Sequence, residues 1–241
     1  MPDKSIVEMY SEQKGWRLAK CTLFVEGESD ESYLRTAATL HRGKTGQDLI
    51  DDLDFTVRAI GQGDDGGTRG IQDQFPTIKN LSDYSVDPEG RRQFRVAAMV
   101  DGDSPGKGCA KALVAANRKL LMWRDVFVLN RRLPRKTTDP NGIGRHIDDA
   151  NAGHRALDTT IEDMIPEPFL DEYFRAHGGY LPKKRRVGDA IQVHVPPDHK
   201  AGLARFFYHN AIADDAIHLI EVIRSMRYYL EVPERVAGGT G

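Results

Sequence analysis

The feature that most constrains this chain is the rhythm of residues 21–130, where apolar runs of strand length alternate with helical patterns. CTLFVE (21–26) reads as a buried strand, broken by Gly27. SDESYLRTAATLHRG (29–43) reads as a helix, capped by Ser29 or Asp30 and followed by Gly43. LDFTVRAI (53–60) is a second strand, and GQGDDGGTRG (61–70) is too rich in glycine for regular structure. IQDQFPTIKNL (71–81) is a helix that Pro76 must kink unless it lies near the start. FRVAAMV (94–100) is a third strand ending at Asp101, CAKALVAANRKLLMW (109–123) a helix, and DVFVLN (125–130) a fourth strand. Strands separated by helices imply an α/β fold with a mostly parallel sheet flanked by helices on both faces. Ligands of such sheets bind beyond the carboxyl ends of the strands, where Glu26 and Asp101 both fall.

The rest of the chain is less regular. Residues 131–158 are polar, 159–177 are helical with a break near Pro166 and Pro168, and 199–231 read as two closing helices. This divides the chain into a catalytic core over 1–155 and a helical extension over 156–241 that completes it. Hydrophobic residues make up 39% of the 241, enough for a sizeable core. The formal net charge of -2 means that any nucleic-acid surface must be local. The two cysteines, Cys21 and Cys109, form no CxxC pair, which argues against a zinc ribbon. No apolar run approaches the roughly 20 residues that span a bilayer, and the first residues lack the apolar core of a signal peptide. The expected location is the cytoplasm, with no membrane partner.

The chemistry concentrates in acidic residues. In VDGDSPG (100–106), an extended backbone points Asp101 and Asp103 the same way at the mouth of a strand, where they repel each other. A hard divalent cation relieves that repulsion, and Gly102 lets the chain bend around it. The competing reading is a turn that caps the next helix. Glu26 closes a buried strand, a costly place for an unpartnered carboxylate, and Asp30 follows in the first helical turn, within reach of the same ion or simply facing the helix dipole. Glu162 and Asp163, in ALDTTIEDMIP (156–166), offer a further ligand or an ordinary acidic helix start. Lys200 opens a later helix and can neutralise a phosphate, although solvated lysines are commoner. Arg131, Arg132, Arg135 and Lys136, with the run Lys183, Lys184, Arg185 and Arg186, are candidates to grip a phosphate backbone, or simply keep the surface soluble.

Taken together, VEGESD with Glu26, the D-G-D of Asp101 and Asp103 one β-α unit further on, and the glycine-rich loop between them resemble a Toprim domain. The nearest branch is the overcoming-lysogenization-defect nucleases. That branch has an acidic residue four after the glutamate, matched by Asp30, a later I-E matched by Glu162, and a distal lysine for which Lys200 is the candidate. The resemblance covers residues 21–130 well and 156–205 in patches. It implies a metal-dependent endonuclease acting on DNA or RNA with Mg²⁺ or Mn²⁺. Glu26, Asp30, Asp101, Asp103 and Glu162 would hold metal, and Glu26, Asp101, Asp103 and Lys200 would be catalytic. GxxxxGK[ST] is missing: around SPGKGCAK the spacing from Gly102 to Gly106 is one residue too short, and Gly108 stands where the motif needs Ser or Thr. The resemblance therefore implies an effector of an antiviral defence system working beside a separate ABC- or SMC-like ATPase, with a homodimer also compatible. Alternatives are a silent regulatory subunit that binds such an ATPase, an RNA-maturing ribonuclease, and a D-x-D phosphatase with Asp101 as nucleophile and Asp103 as acid.

Overall fold

The computed structural model describes residues 4–61, 66–177, 182–188 and 190–234. Residues 62–65 of the glycine-rich loop and the AGGTG end lie outside that set.

Four strands, β1 (Cys21–Val25), β2 (Phe55–Ala59), β3 (Arg95–Val100) and β4 (Val126–Val128), form one parallel sheet in the order β2-β1-β3-β4. The α/β class and parallel sheet expected from the sequence are the ones observed. The chain leaves β1 for β2 through α2 (Glu28–Thr45), crosses back to β3 through α3 (Gly67–Tyr84), and leaves β3 for β4 through α4 (Ser104–Ala116). The connections after β1 and β3 thus depart in opposite directions, opening a crevice between these two central strands at their carboxyl ends.

Strand parity divides the core in two. Leu23, Val25, Phe55, Val57, Ala97, Met99 and Phe127 face α2 and the C-terminal helices, while Phe24, Val96, Ala98, Val100 and Val126 face α3, α4 and a short helix α1 (Ile6–Gln13). Sheets buried on both faces read as continuous apolar runs, which is why these strands were legible.

Helices α2, α3 and α4 start earlier than their sequence-based positions, the strands are shorter, and the helix expected to reach Trp123 ends at Ala116. α2 starts at Glu28 with Gly27 as N-cap, and runs past Gly43 to a left-handed Gly46 (φ 76°). α3 begins at Gly67 inside the supposed loop and continues through Pro76. α4 begins at Ser104, so SPGKGCAK is helical and its glycines form no phosphate-cradling loop. Residues 131–158 contain α5 (Pro140–Ala150) and a 3-10 turn (Ala152–His154), capped by Asp139. The stretch 159–177 is a 3-10 turn (Ile161–Met164) followed by α6 (Glu167–Ala176). The basic run belongs to an antiparallel hairpin of β5 (Lys184–Val187) and β6 (Ala190–Val193). α7 (Pro197–Asn210) and α8 (Ile217–Tyr229) are the two closing helices, both packed on α2. The larger hydrophobic cluster joins β1 and α2 to α6, α7 and α8, so 1–155 and 156–241 share one core. Among the described residues, no helix is long and apolar enough to cross a membrane.

Candidate active site

The crevice between β1 and β3 is bridged by Glu26, whose Oε1 accepts a hydrogen bond from the Asp101 N–H at 2.9 Å. The carboxylate that closes the first strand is thereby locked to the end of the third. Burial lifts the Glu26 carboxyl above its ordinary range, and the Asp103 and Glu162 charges add to this, against the Asp101 N–H and the Lys200 ammonium.

Asp30 sits in the first turn of α2, and one of its oxygens accepts from the Gly27 N–H at 3.0 Å. It thus makes the carboxylate half of a capping box at the helix start and also enters the acidic group. Burial, then the charges of Glu162 and Glu26, push its carboxyl up to about 7. Burial likewise holds Asp101 well above the usual aspartate range, reinforced by Asp30, Glu26 and Glu162.

Glu162 reaches this group because the segment before it is sewn to the D-G-D. The Gly102 N–H donates to the Thr159 carbonyl at 2.6 Å. A Cβ at Gly102 would stand 2.2 Å from the Leu129 carbonyl oxygen and 3.2 Å from Thr159, so only glycine allows the three backbones to meet. The bend around an ion inferred from sequence is therefore an approach of backbone to backbone. The Glu162 side chain is 1% exposed, and its Oε1 lacks an aligned hydrogen-bond partner. Its neighbour Asp163 faces the opposite way, accepting from the Val193 N–H at 2.7 Å and pairing with Arg131 at 3.4 Å. Of the two acidic residues there, Glu162 alone joins the group.

Lys200, in the first turn of α7, stands 3.2 Å from Glu162. Burial opposes its charge, but Glu162, then Asp101 and Asp30, outweigh that and hold the ammonium above the ordinary lysine range. It is thus engaged with the acidic group, unlike a solvated surface lysine.

Asp103 behaves differently from its partner in the motif. It N-caps α4, its Oδ1 accepting from the Gly106 N–H at 2.8 Å. The capping reading of the D-G-D turn holds for Asp103, while its charge still reaches Glu26 from the rim.

The basic residues scatter. Arg131 turns largely inward: its guanidinium is 11% exposed and donates to the Asp163 and Ile191 carbonyls, while the residue also lines a recess beside Gly102. Arg135 pairs with Glu221 at 3.1 Å, and Lys184 and Arg186 pair with Glu167 on α6 at 2.9 and 2.7 Å. Arg132, Lys136, Lys183 and Arg185 are exposed. Sequence reasoning missed a different basic pair. Lys107 and Arg155 line a recess of about 220 Å³ bounded by Gly102, Asn130, Arg131 and Asp148. The spacing Asp103 to Lys107, one helical turn, was the available signal.

Four carboxylates thus share one ammonium. Among the described residues, no three ligand-type side chains already stand in a metal-holding arrangement. The chemistry of the set still fits a hard divalent cation: every donor is a carboxylate oxygen, burial penalises their joint ionisation, and the buried Glu162 Oε1 has only the Lys200 ammonium beside it, without an aligned hydrogen bond. No family model matches this chain, and no curated protein or solved structure is significantly similar to it.

Proposed function

We propose that the protein is a nuclease that hydrolyses phosphodiester bonds with Mg²⁺ or Mn²⁺ at the crevice between β1 and β3. The observation that carries this reading is the gathering of Glu26, Asp30, Asp101 and Glu162 at that crevice with Lys200 as the cation among them. A largely enclosed acidic group in which the Glu26, Asp30 and Asp101 carboxyls are raised is unfavourable unless it binds something positive, and such strain is typical of functional sites. The resemblance of VEGESD and D-G-D to Toprim domains agrees with this site.

Glu26, Asp101, Asp30 and Glu162 would hold the cation, and Asp103 would add charge from the rim. The metal, when bound, supplies Lewis-acid stabilisation and a more acidic water. Lys200, two-fifths exposed, can exchange Glu162 for a phosphate oxygen of the substrate. Lys107 and Arg155 would hold the neighbouring phosphates in the recess at Gly102, a contact blind to sequence and weakened by salt. The phosphatase alternative is less well matched, because Asp103, its candidate acid, is engaged at the start of α4.

The test incubates the pure protein with plasmid DNA and with total tRNA, in Mg²⁺ and in EDTA. Metal-dependent cleavage is expected, lost in Glu26→Ala and in Asp101→Ala/Asp103→Ala. Calorimetry runs beside it, and an absence of Mg²⁺ and Mn²⁺ binding to the unmodified protein overturns the reading.

A further inference from the structure

Tyr33 lies on α2 one turn beyond Asp30 and is fully buried. Its ring meets Phe207 edge-on at 5.5 Å, and Phe207 sits two turns after Lys200 on α7. The tyrosine is therefore held between the helix that supplies Asp30 and the helix that supplies Lys200. Its hydroxyl is buried and makes no hydrogen bond. A buried donor left in that state is costly and calls for an explanation. The Glu162 Oε1 is in the complementary state, a buried acceptor with no aligned donor and only the Lys200 ammonium beside it at 3.2 Å. After burial itself, the charges that act most strongly on the phenol are those of Glu162 and then Asp30, so the hydroxyl lies within electrostatic reach of the acidic group while making no hydrogen bond to it. Burial and those charges raise the phenol far above its ordinary range, which keeps it a protonated donor at neutral pH.

We infer that Tyr33 is a positioning residue whose hydroxyl donates to Glu162 and fixes that carboxylate toward the cation once Lys200 moves to the substrate. This rests on the proposed metal site. The unsatisfied donor and acceptor are then two halves of one bond that closes in the loaded state, a short O–H···O⁻ contact of the strong, charge-assisted kind. In the metal-free state the ion pair with Lys200 occupies Glu162 instead.

The decisive variant is Tyr33→Phe, which keeps the ring and its packing on Phe207. Two quantities are measured on the full chain: thermal unfolding in EDTA, and calorimetric affinity for Mg²⁺ and Mn²⁺. The metal-free protein should unfold at the same temperature or higher, because an unsatisfied hydroxyl has been removed. Cation affinity should fall by about three- to tenfold, the weight of one hydrogen bond. In a Glu162→Ala background, the same substitution should leave affinity unchanged. Unaltered affinity in Tyr33→Phe overturns the inference, as does a lowered unfolding temperature with unaltered affinity, which marks the hydroxyl as structural. If Glu26→Gln abolishes binding while Tyr33→Phe changes nothing, the metal site stands and only the role of Tyr33 falls. If the unmodified protein binds neither cation, both fall.

Discussion

At the scale of single residues, the site is governed by repulsion. The Asp30 carboxyl moves from an ordinary 3.8 to about 7 because burial and the Glu162 and Glu26 charges all oppose its ionisation. The sign of the resulting pH dependence follows. Between about pH 4 and pH 7 the folded chain keeps a proton that the unfolded chain has released, so stability falls as pH rises. Asp101, also raised, adds to the same slope. The expected outcome in EDTA is a melting temperature that drops from pH 5 to pH 7.5. Asp30→Asn should flatten the slope and raise the melting temperature at pH 7.5, since its amide oxygen can still accept from the Gly27 N–H. A cation competes with protons for the same oxygens, so Mg²⁺ affinity should climb through this window. A melting temperature that rises across it in EDTA would contradict the electrostatics described.

At the scale of elements, Asp103 and Gly102 show how one short motif serves both folding and site. Asp103→Ala removes the cap of α4 and should cost about 1 kcal/mol by denaturant unfolding, whereas Asp103→Asn should keep most of that stability and lose only the charge. Gly102→Ala would drive a methyl group into the Leu129 carbonyl and should cost about 1–3 kcal/mol, together with cation affinity, because it separates Glu162 from Asp101. The four strands were legible because burial on both faces makes them uniformly apolar, and Glu26 and Asp101 were legible because they end such runs. The start of α4 was signalled by Asp103 and Pro105 but masked by glycines. α5 was missed because PNGIGRHIDDA carries two glycines and buries few side chains besides Ile143 and Ile147. The hairpin was missed because four basic residues look like solvated charge, while strand pairing puts Lys184 and Arg186 against α6. Tyr33 and Lys107 carried no signal beyond their helical spacing from Asp30 and Asp103.

At the scale of the whole molecule, the division at residue 155 does not correspond to two bodies. Leu23, Val25, Leu34 and Phe55 share one cluster with Leu170, Phe207, Leu219 and Met226. A fragment of residues 1–155 leaves one face of the sheet uncovered and should show no cooperative thermal transition. Cooperative melting of that fragment would restore the two-part reading. The basic surface imagined from sequence is likewise a property of the assembled molecule, since folding pairs much of it with acidic neighbours and turns Arg131 inward.

The acidic group draws its members from positions 26, 30, 101, 162 and 200, spread along most of the chain. During synthesis the early carboxylates emerge long before the lysine that balances them, and α7 must dock on α2 before the crevice is complete. Under the proposed nuclease reading, a growing chain on the ribosome, surrounded by RNA, would therefore carry no finished site, and the wide spacing of its residues would act as a safety catch released only at the end of folding.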